Sequence, residues 1–234
     1  MNFKLILSLP ILCLGLIWPL TSHAADSFNI LLYHHISSTM PRSTSLTSEE
    51  FEGHLEYLKI NDYNVIDLAS AIASIQQGEP LPDKAIVITF DDAWRDIYLQ
   101  GLPLLKKYDY PFTVFVNTDP VDQNNRHTMT WDMLRDLKQQ GVTLANHTRD
   151  HDYLVRKPLY DEQWLDATLD NINYAQQRLT DELGPVPKWL AYPFGEYNDR
   201  LKHALKDQGY IAFGQQSGGV AEFSDWQALP RFPA

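Results

Sequence analysis

Short apolar runs alternate along this chain with longer stretches in which apolar residues recur every three or four positions. Residues 28–33, 64–68, 85–90, 111–116, 142–146, 189–192 and 210–214 are short and rich in β-branched and aromatic side chains, the pattern of buried strands. Helical patterns lie between them. Thr47, with Glu50 three residues later, has the form of a capping box, and Phe51, Leu55 and Leu58 continue it at helical spacing. Further helices are predicted over residues 69–77, 94–108, 131–140, 161–183 and 198–208; Gly141, Gly184-Pro185 and Gly209 close the last three. The run 85–90 stands apart because it ends abruptly in two adjacent carboxylates, Asp91 and Asp92. Like charges side by side at the end of an apolar strand are costly unless a cation sits beside them.

Strands alternating with helices, with no repeat or low-complexity segment, predict an α/β fold with a parallel sheet. Polar residues suited to chemistry fall repeatedly just after strands, and in a barrel that face is where sites are built. An open doubly wound sheet would carry a glycine-rich phosphate turn after its first strand, and none is present. The expected architecture is therefore a distorted or incomplete (β/α) barrel.

Composition narrows the setting. The chain has 234 residues, 44% hydrophobic and 21% charged, which suits one domain with a real core. A formal net charge of −11 argues against nucleic acid as a partner and against a strongly anionic substrate. Residues 1–24 have the layout of a secretory signal peptide: Lys4 near the start, an apolar stretch from Leu5 to Leu20, and Ala24 at the expected cleavage point. The stretch is short for a membrane anchor. Its Cys13 is the chain's single cysteine, so a mature domain over residues 25–234 would have neither disulfide nor thiol chemistry. The expected location is periplasmic or secreted, with no stable membrane span after cleavage and a monomeric state.

Three clusters carry candidate chemistry. His147 and His151, at i and i+4, would share one face of a helical turn and chelate one ion. Alone this spacing is a weak signal; following a strand expected near Asp91-Asp92, it gains weight. Two imidazoles and one carboxylate suit a divalent ion such as zinc, with cobalt or nickel as alternatives. If one aspartate is a ligand, the other is free to act as a general base, and either can also cap the helix that follows. In Tyr192-Pro193-Phe194-Gly195 the proline fixes a rigid turn, from which the Phe194 amide can serve as an oxyanion donor.

Together, Thr89-Phe90-Asp91-Asp92, His147-Thr148-x-x-His151 and Tyr192-Pro193-Phe194-Gly195 resemble the polysaccharide deacetylases of carbohydrate esterase family 4, the NodB-homology group. The resemblance covers nearly the whole chain from Phe28 to Arg231. It implies a deformed (β/α) barrel and metal-dependent removal of N-acetyl groups from amino-sugar polymers. Asp91 would be the catalytic base, Asp92, His147 and His151 the metal ligands, Thr148 a brace for their loop, and the Phe194 amide an oxyanion donor. The chain also departs from the family pattern. Ala191 stands where an arginine usually orients the base, and Ala93 replaces the glycine after the aspartate pair. No histidine follows His203, although the family's last motif is a strand ending in the general-acid histidine. The run from Ile30 to His34 has the look of that motif moved to the N-terminus, as circular permutation of a barrel allows. His34 is then the expected acid, with His35 as the fallback.

The moved histidine strand and the alanine before Tyr192 resemble the branch that deacetylates poly-β-1,6-N-acetylglucosamine of biofilm matrix. Arg231 would replace the missing arginine, and Asp225-Trp226, with Tyr192 and Pro193, would line the substrate pocket. The resulting expectation is a secreted metal-dependent hydrolase of carbon–nitrogen bonds acting on an N-acetylated polysaccharide. The rivals are a non-catalytic carbohydrate-binding protein on the same scaffold and an O-acetyl esterase of the xylan type.

Overall fold

The structure is a computed structural model that describes residues 26–156 and 163–234. The expected signal peptide, and Asp161 at the predicted start of the long helix, lie outside the described residues. Among the described residues there are eleven strands: β1 (Ser27–Tyr33), β2 (His35–Ile36), β3 (Ser45–Leu46), β4 (Asn64–Val65), β5 (Ala85–Phe90), β6 (Thr113–Val116), β7 (Thr143–Asn146), β8 (Trp189–Ala191), β9 (Ile211–Phe213), β10 (Val220–Ala221) and β11 (Phe232–Pro233). The helices are α1 (Ser48–Ile60), α2 (Leu68–Gln77), α3 (Leu102–Tyr108), α4 (Thr118–Asp122), α5 (Trp131–Gln139), α6 (Trp164–Leu183) and α7 (Asp199–Asp207).

The central strands run parallel in the order β1, β5, β6, β7, β8, β9. The C-terminal segment brings the two edges of this sheet together. Leu229 bridges Phe213 of β9 and donates to the Ala212 carbonyl, while β11 lies parallel to β1 with Phe232 opposite Leu31. The result is the expected distorted barrel, and β1 sits beside β5, the neighbour predicted from the permuted motif.

Strand alternation divides the core. Val87, Phe115, Ala145, Ala191 and Phe213 share an interior cluster with Phe28 and Ile30. Leu68, Ala71, Ile72 and Ile75 of α2 join it and cover the end where the strands begin. Ile86, Ile88, Phe90 and Val114 instead meet α1, α3 and α5 on the outside. Leu190 and Ala212 meet α6 and α7.

Local chemistry sets the boundaries. Both capping-box bonds of α1 form, from the Glu50 amide to Thr47 (3.2 Å) and from the Thr47 amide to Glu50 (2.8 Å). The strand predicted over 64–68 stops at Val65, because the Asp67 carboxylate accepts the Ser70 amide and starts α2 at Leu68. The helix predicted over 94–108 is not continuous α. Residues Ile97–Gly101 wind in wider π turns before α3, next to Pro103, which cannot donate and crowds the preceding turn. The histidine pair also departs from expectation. His147 and His151 stand in a loop after β7, with Thr148 and His151 at positive φ (71° and 59°), so no helical turn presents them.

Phe90 is fully buried where β5 meets the outer helices, with ring centroids 5.5 Å from Tyr33, 5.8 Å from Phe51 and 5.8 Å from Phe112. Phe90→Ala should lower unfolding stability by about 3–5 kcal/mol through lost burial and the cavity left behind. Urea denaturation with an unchanged slope and a lower midpoint checks this; an unchanged midpoint would show that the cluster collapses without loss.

Candidate active site

Four strands deliver the site. β5 ends in Asp91-Asp92, β1 in His34, β7 in His147, and β8 leads into the Pro193–Gly195 turn. The Asp91 amide donates to the Tyr33 carbonyl (3.0 Å), which ties the ends of β5 and β1 together. Nine non-glycine residues among those described have positive φ, and five of them, Asp92, Ala93, Thr148, His151 and Phe194, lie at this end of the barrel. Strain of this kind persists only where the surroundings over-determine it, and it marks functional ground.

Asp92, His147 and His151 present ligand atoms that all lie within 4.8 Å of one another. The His147 ring is aimed by its Nδ1, which donates to the Ala191 carbonyl (2.8 Å), so Nε2 faces Asp92 Oδ1 at 3.4 Å. His151 Nε2 stands 3.4 Å from the same oxygen. His147 Nε2 is buried without a hydrogen-bond partner. An orphaned buried nitrogen is costly, and a cation held between the three donors satisfies it. The donor set thus fits a divalent metal. Its loop is braced: Thr148 Oγ1 accepts the His151 amide (3.1 Å), and Asn146 Oδ1 accepts the Thr148 amide (2.7 Å). On Asp92, burial pushes the carboxyl up, but the close approach and charge of His147 and the charge of His151 hold it below its ordinary value. Burial pushes His147 down, and Asp91 with Asp92 more than reverses this.

Asp91 has a different partner. Arg231, fully buried on the closing segment, donates from both terminal nitrogens to its two carboxylate oxygens at 2.7 and 2.8 Å. Arg231 Nε donates to the Gly214 carbonyl (2.9 Å), and its guanidinium lies over Phe115 inside the barrel, 5.2 Å from the ring centroid. Burial pushes the Asp91 carboxyl up, and the charge of Arg231, then that of His147, hold it below its ordinary value. Position 191 is an alanine, and the arginine that reaches Asp91 comes from the closing segment instead.

A cleft of about 390 Å³ opens over these groups, lined by His34, Asp92, Trp94, His151, Phe194 and Gln215 among others. Burial pushes the His34 imidazole below its ordinary value, against the opposing pull of Asp91 and Asp92. His35 also borders the cleft, but its Nδ1 pairs with Asp96 (2.7 Å) and its ring stacks on Trp94. Phe194 is half exposed, stacks on Tyr153 at 4.0 Å, and meets His151 edge to face at 4.6 Å.

Five residues expected at the substrate pocket, Tyr192, Pro193, Asp225, Trp226 and Arg231, are not among those that line this cleft. Tyr192 is fully buried among Leu190 and Leu201, with its hydroxyl donating to the Gln227 carbonyl. Pro193 is buried. Trp226 packs against the interior cluster near Ile211 and Phe213, and Asp225 pairs with Lys202. Arg231 is shut in beneath Asp91. Strand alternation explains Tyr192: its neighbour Ala191 faces the interior, so Tyr192 faces the helices. Trp94 and Gln215 were missed; Trp94 stands only two residues after Asp92, a closeness that could have suggested it.

This barrel with its Asp-His-His cluster at the strand ends belongs to the polysaccharide deacetylase family, whose model matches residues 78–213. The match starts after β1 and ends at β9, so His34 and Arg231 lie outside it. The chain is similar to the protein named putative polysaccharide deacetylase YxkH of Bacillus subtilis, at 29% identity over 86% of this chain and 69% of that one. It is also similar to poly-beta-1,6-N-acetyl-D-glucosamine N-deacetylase of Staphylococcus aureus, at 27% over 88% of this chain and 73% of that one. Solved structures share the fold. The deacetylase PplD of Streptococcus pyogenes has a TM-score of 0.80 at 23% identity, covering 89% of this chain and 92% of the other. IcaB from Ammonifex degensii has 0.79 at 23%, covering 90% and 93%. The chain is a polysaccharide deacetylase, a hydrolase.

Breaking the buried Arg231–Asp91 pair leaves an uncompensated carboxylate. Arg231→Gln should cost about 3–5 kcal/mol at neutral pH. In the parent the lowered Asp91 carboxyl contributes stability above the ordinary carboxylate range, and this is lost as pH falls through the lowered value. In the variant burial is opposed only by the charges of His147 and His34, so the carboxyl is held down less and Asp91 takes up its proton at a higher pH than in the parent. The deficit should therefore shrink from about pH 7 to about pH 4. Urea denaturation at both pH values checks this, and a deficit that grows toward low pH would contradict it.

Proposed function

We propose that this chain is a secreted, metal-dependent N-deacetylase of an N-acetylglucosamine polymer. The observation that carries the reading is the division of the two aspartates: Asp92 points one oxygen at two imidazole nitrogens, while Asp91 is locked ionised on Arg231. The polymer class is supported by the similarity to the Staphylococcus aureus relative, whose name states that activity. Secretion is supported by the residue pattern of 1–24; among the described residues no helix is long and apolar enough to cross a membrane.

In this reading Asp92, His147 and His151 hold a divalent cation, zinc or else cobalt or nickel. Such an ion supplies a Lewis acid that polarises the acetamide carbonyl and acidifies water. Asp91 takes the proton from the attacking water, and Arg231 fixes the carboxylate for that transfer. The Phe194 amide, on its strained turn, donates to the oxygen that gains charge. As the carbon–nitrogen bond breaks, His34 delivers a proton to the departing amine; acetate and a free amino sugar leave. His35 is the weaker choice of acid because Asp96 holds its Nδ1.

The pairing of Asp91 with Arg231 weighs against the non-catalytic rival, since the chain lacks an arginine at position 191 yet supplies one to Asp91 from elsewhere. An N-deacetylase should release acetate from N-acetylglucosamine oligomers and lose that release, by roughly 10³-fold or more, in Asp91→Asn and in His34→Ala. Asp91→Asn should keep its bound metal after dialysis, whereas His147→Ala should not. Acetate release from acetylated xylan but not from the oligomers would replace this reading with the esterase, and full activity in Asp91→Asn would sink the mechanism.

A further inference from the structure

Asp92 is claimed from two sides. Its Oδ1 faces His147 and His151, each at 3.4 Å. Its Oδ2 accepts the indole N–H of Trp94 at 3.1 Å. Two residues apart in the chain, the two side chains meet only because the backbone between them is bent: Asp92 and Ala93 both stand at positive φ (70° and 51°). The bend is pinned from outside. Met129 donates its amide to the Ala93 carbonyl (2.9 Å), Arg95 donates to the His127 carbonyl (2.7 Å), and Trp94 itself bridges Thr128. Behind the indole stands His35, stacked on it at 4.3 Å and 25°. His35 is held in turn by Asp96 Oδ2 (2.7 Å), whose other oxygen accepts the Ile36 amide (3.0 Å).

We infer that Trp94 is a positioning residue for the metal: its indole N–H occupies one oxygen of Asp92, so that the carboxylate offers the other alone, and the Asp96–His35 pair holds the indole in place. The inference rests on the reading that Asp92, His147 and His151 bind a cation. A carboxylate with one oxygen engaged by a donor cannot swing to grip an ion with both. It thus presents a single, fixed donor, which suits a compact site of two nitrogens and one oxygen and disfavours hard ions that need many oxygens. Partners one layer behind metal ligands typically affect affinity by 10- to 100-fold. Trp94 also lines the cleft, yet the indole N–H is spent on Asp92 rather than offered to substrate.

Trp94→Phe keeps an aromatic ring against His35 and removes only the N–H. Metal affinity, read by chelator competition with Co2+ and Zn2+, should weaken about 10- to 100-fold, and the visible spectrum of the Co2+ protein should change as the carboxylate is freed. His35→Leu removes the platform but leaves the N–H, and should weaken affinity by less, roughly 3- to 10-fold. Trp131→Phe loses an indole bond of similar geometry to Asp122, remote from the site, and should bind metal as the parent does. If the parent binds metal and both Trp94→Phe and His35→Leu bind it equally well with unchanged cobalt spectra, the inference is overturned and the metal reading stands. If the parent itself binds neither ion, both fall.

Discussion

Everything at the top of this barrel leans on one buried ion pair. Arg231 and Asp91 are both fully buried and bond through two oxygens and two nitrogens. A charge pair so placed gives up its hydration and holds because every guanidinium nitrogen is engaged: the remaining one, Nε, reaches the Gly214 carbonyl. The segment that carries Arg231 bridges β9 at Leu229 and pairs with β1 at Phe232, so the same segment closes the barrel and brings the cation to Asp91. The same pair keeps the neighbouring carboxylates distinct. With Arg231 committed to Asp91, the buried nitrogens of His147 and His151 are left to Asp92.

Around this fixed point the loops carry the strain. The loops after β5, β7 and β8 hold residues with positive φ, namely Asp92, Ala93, Thr148, His151 and Phe194, and Asp92, His151 and Phe194 among them line the cleft. Parallel strands packed on both faces supply the rigidity that this requires. The bracing is local and polar: Asn146 on Thr148, Thr148 on His151, and the Ala191 carbonyl on His147. Tyr153 on Phe194 and Arg156 on Glu196 hold the Pro193–Gly195 turn from the far side.

The α/β class, the distorted barrel and β1 beside β5 were legible in the sequence, because apolar periodicity is a local property and the polar residues after strands mark one end of a barrel. The three residues that now cluster for a metal were legible as types. Their presentation was not: helical spacing suggested a turn of helix for His147 and His151, whereas positive φ in a loop does the work. Trp226 stands away from the cleft because it lies in the turn after β10 and packs against the interior cluster; Tyr192 does so for another reason. Closeness in sequence to a site residue says nothing about which face of a strand a side chain takes, and Tyr192 alternates away from its neighbour Ala191. Trp94 escaped notice because its bond to Asp92 depends on a backbone bend that no spacing rule predicts.

His34 and His35 show how finely this arrangement depends on register. The residues are adjacent, yet the first lies in the cleft within reach of the fields of both aspartates and the second is tied to Asp96. The pairing of Tyr33 with Phe90, and the bond from the Asp91 amide to the Tyr33 carbonyl, fix β1 against β5. Slipping β1 by one residue would turn Ile30 and Leu32 out of the interior and bring Leu31 and Tyr33 in. That would place His35 where His34 now stands and take it away from Asp96. Since Ile30 and Leu32 are almost wholly buried, the apolar packing of the strand selects which imidazole faces the aspartates. The proposed proton donor is thus chosen by the hydrophobic pattern two and four residues before it, not by any property of the histidine itself.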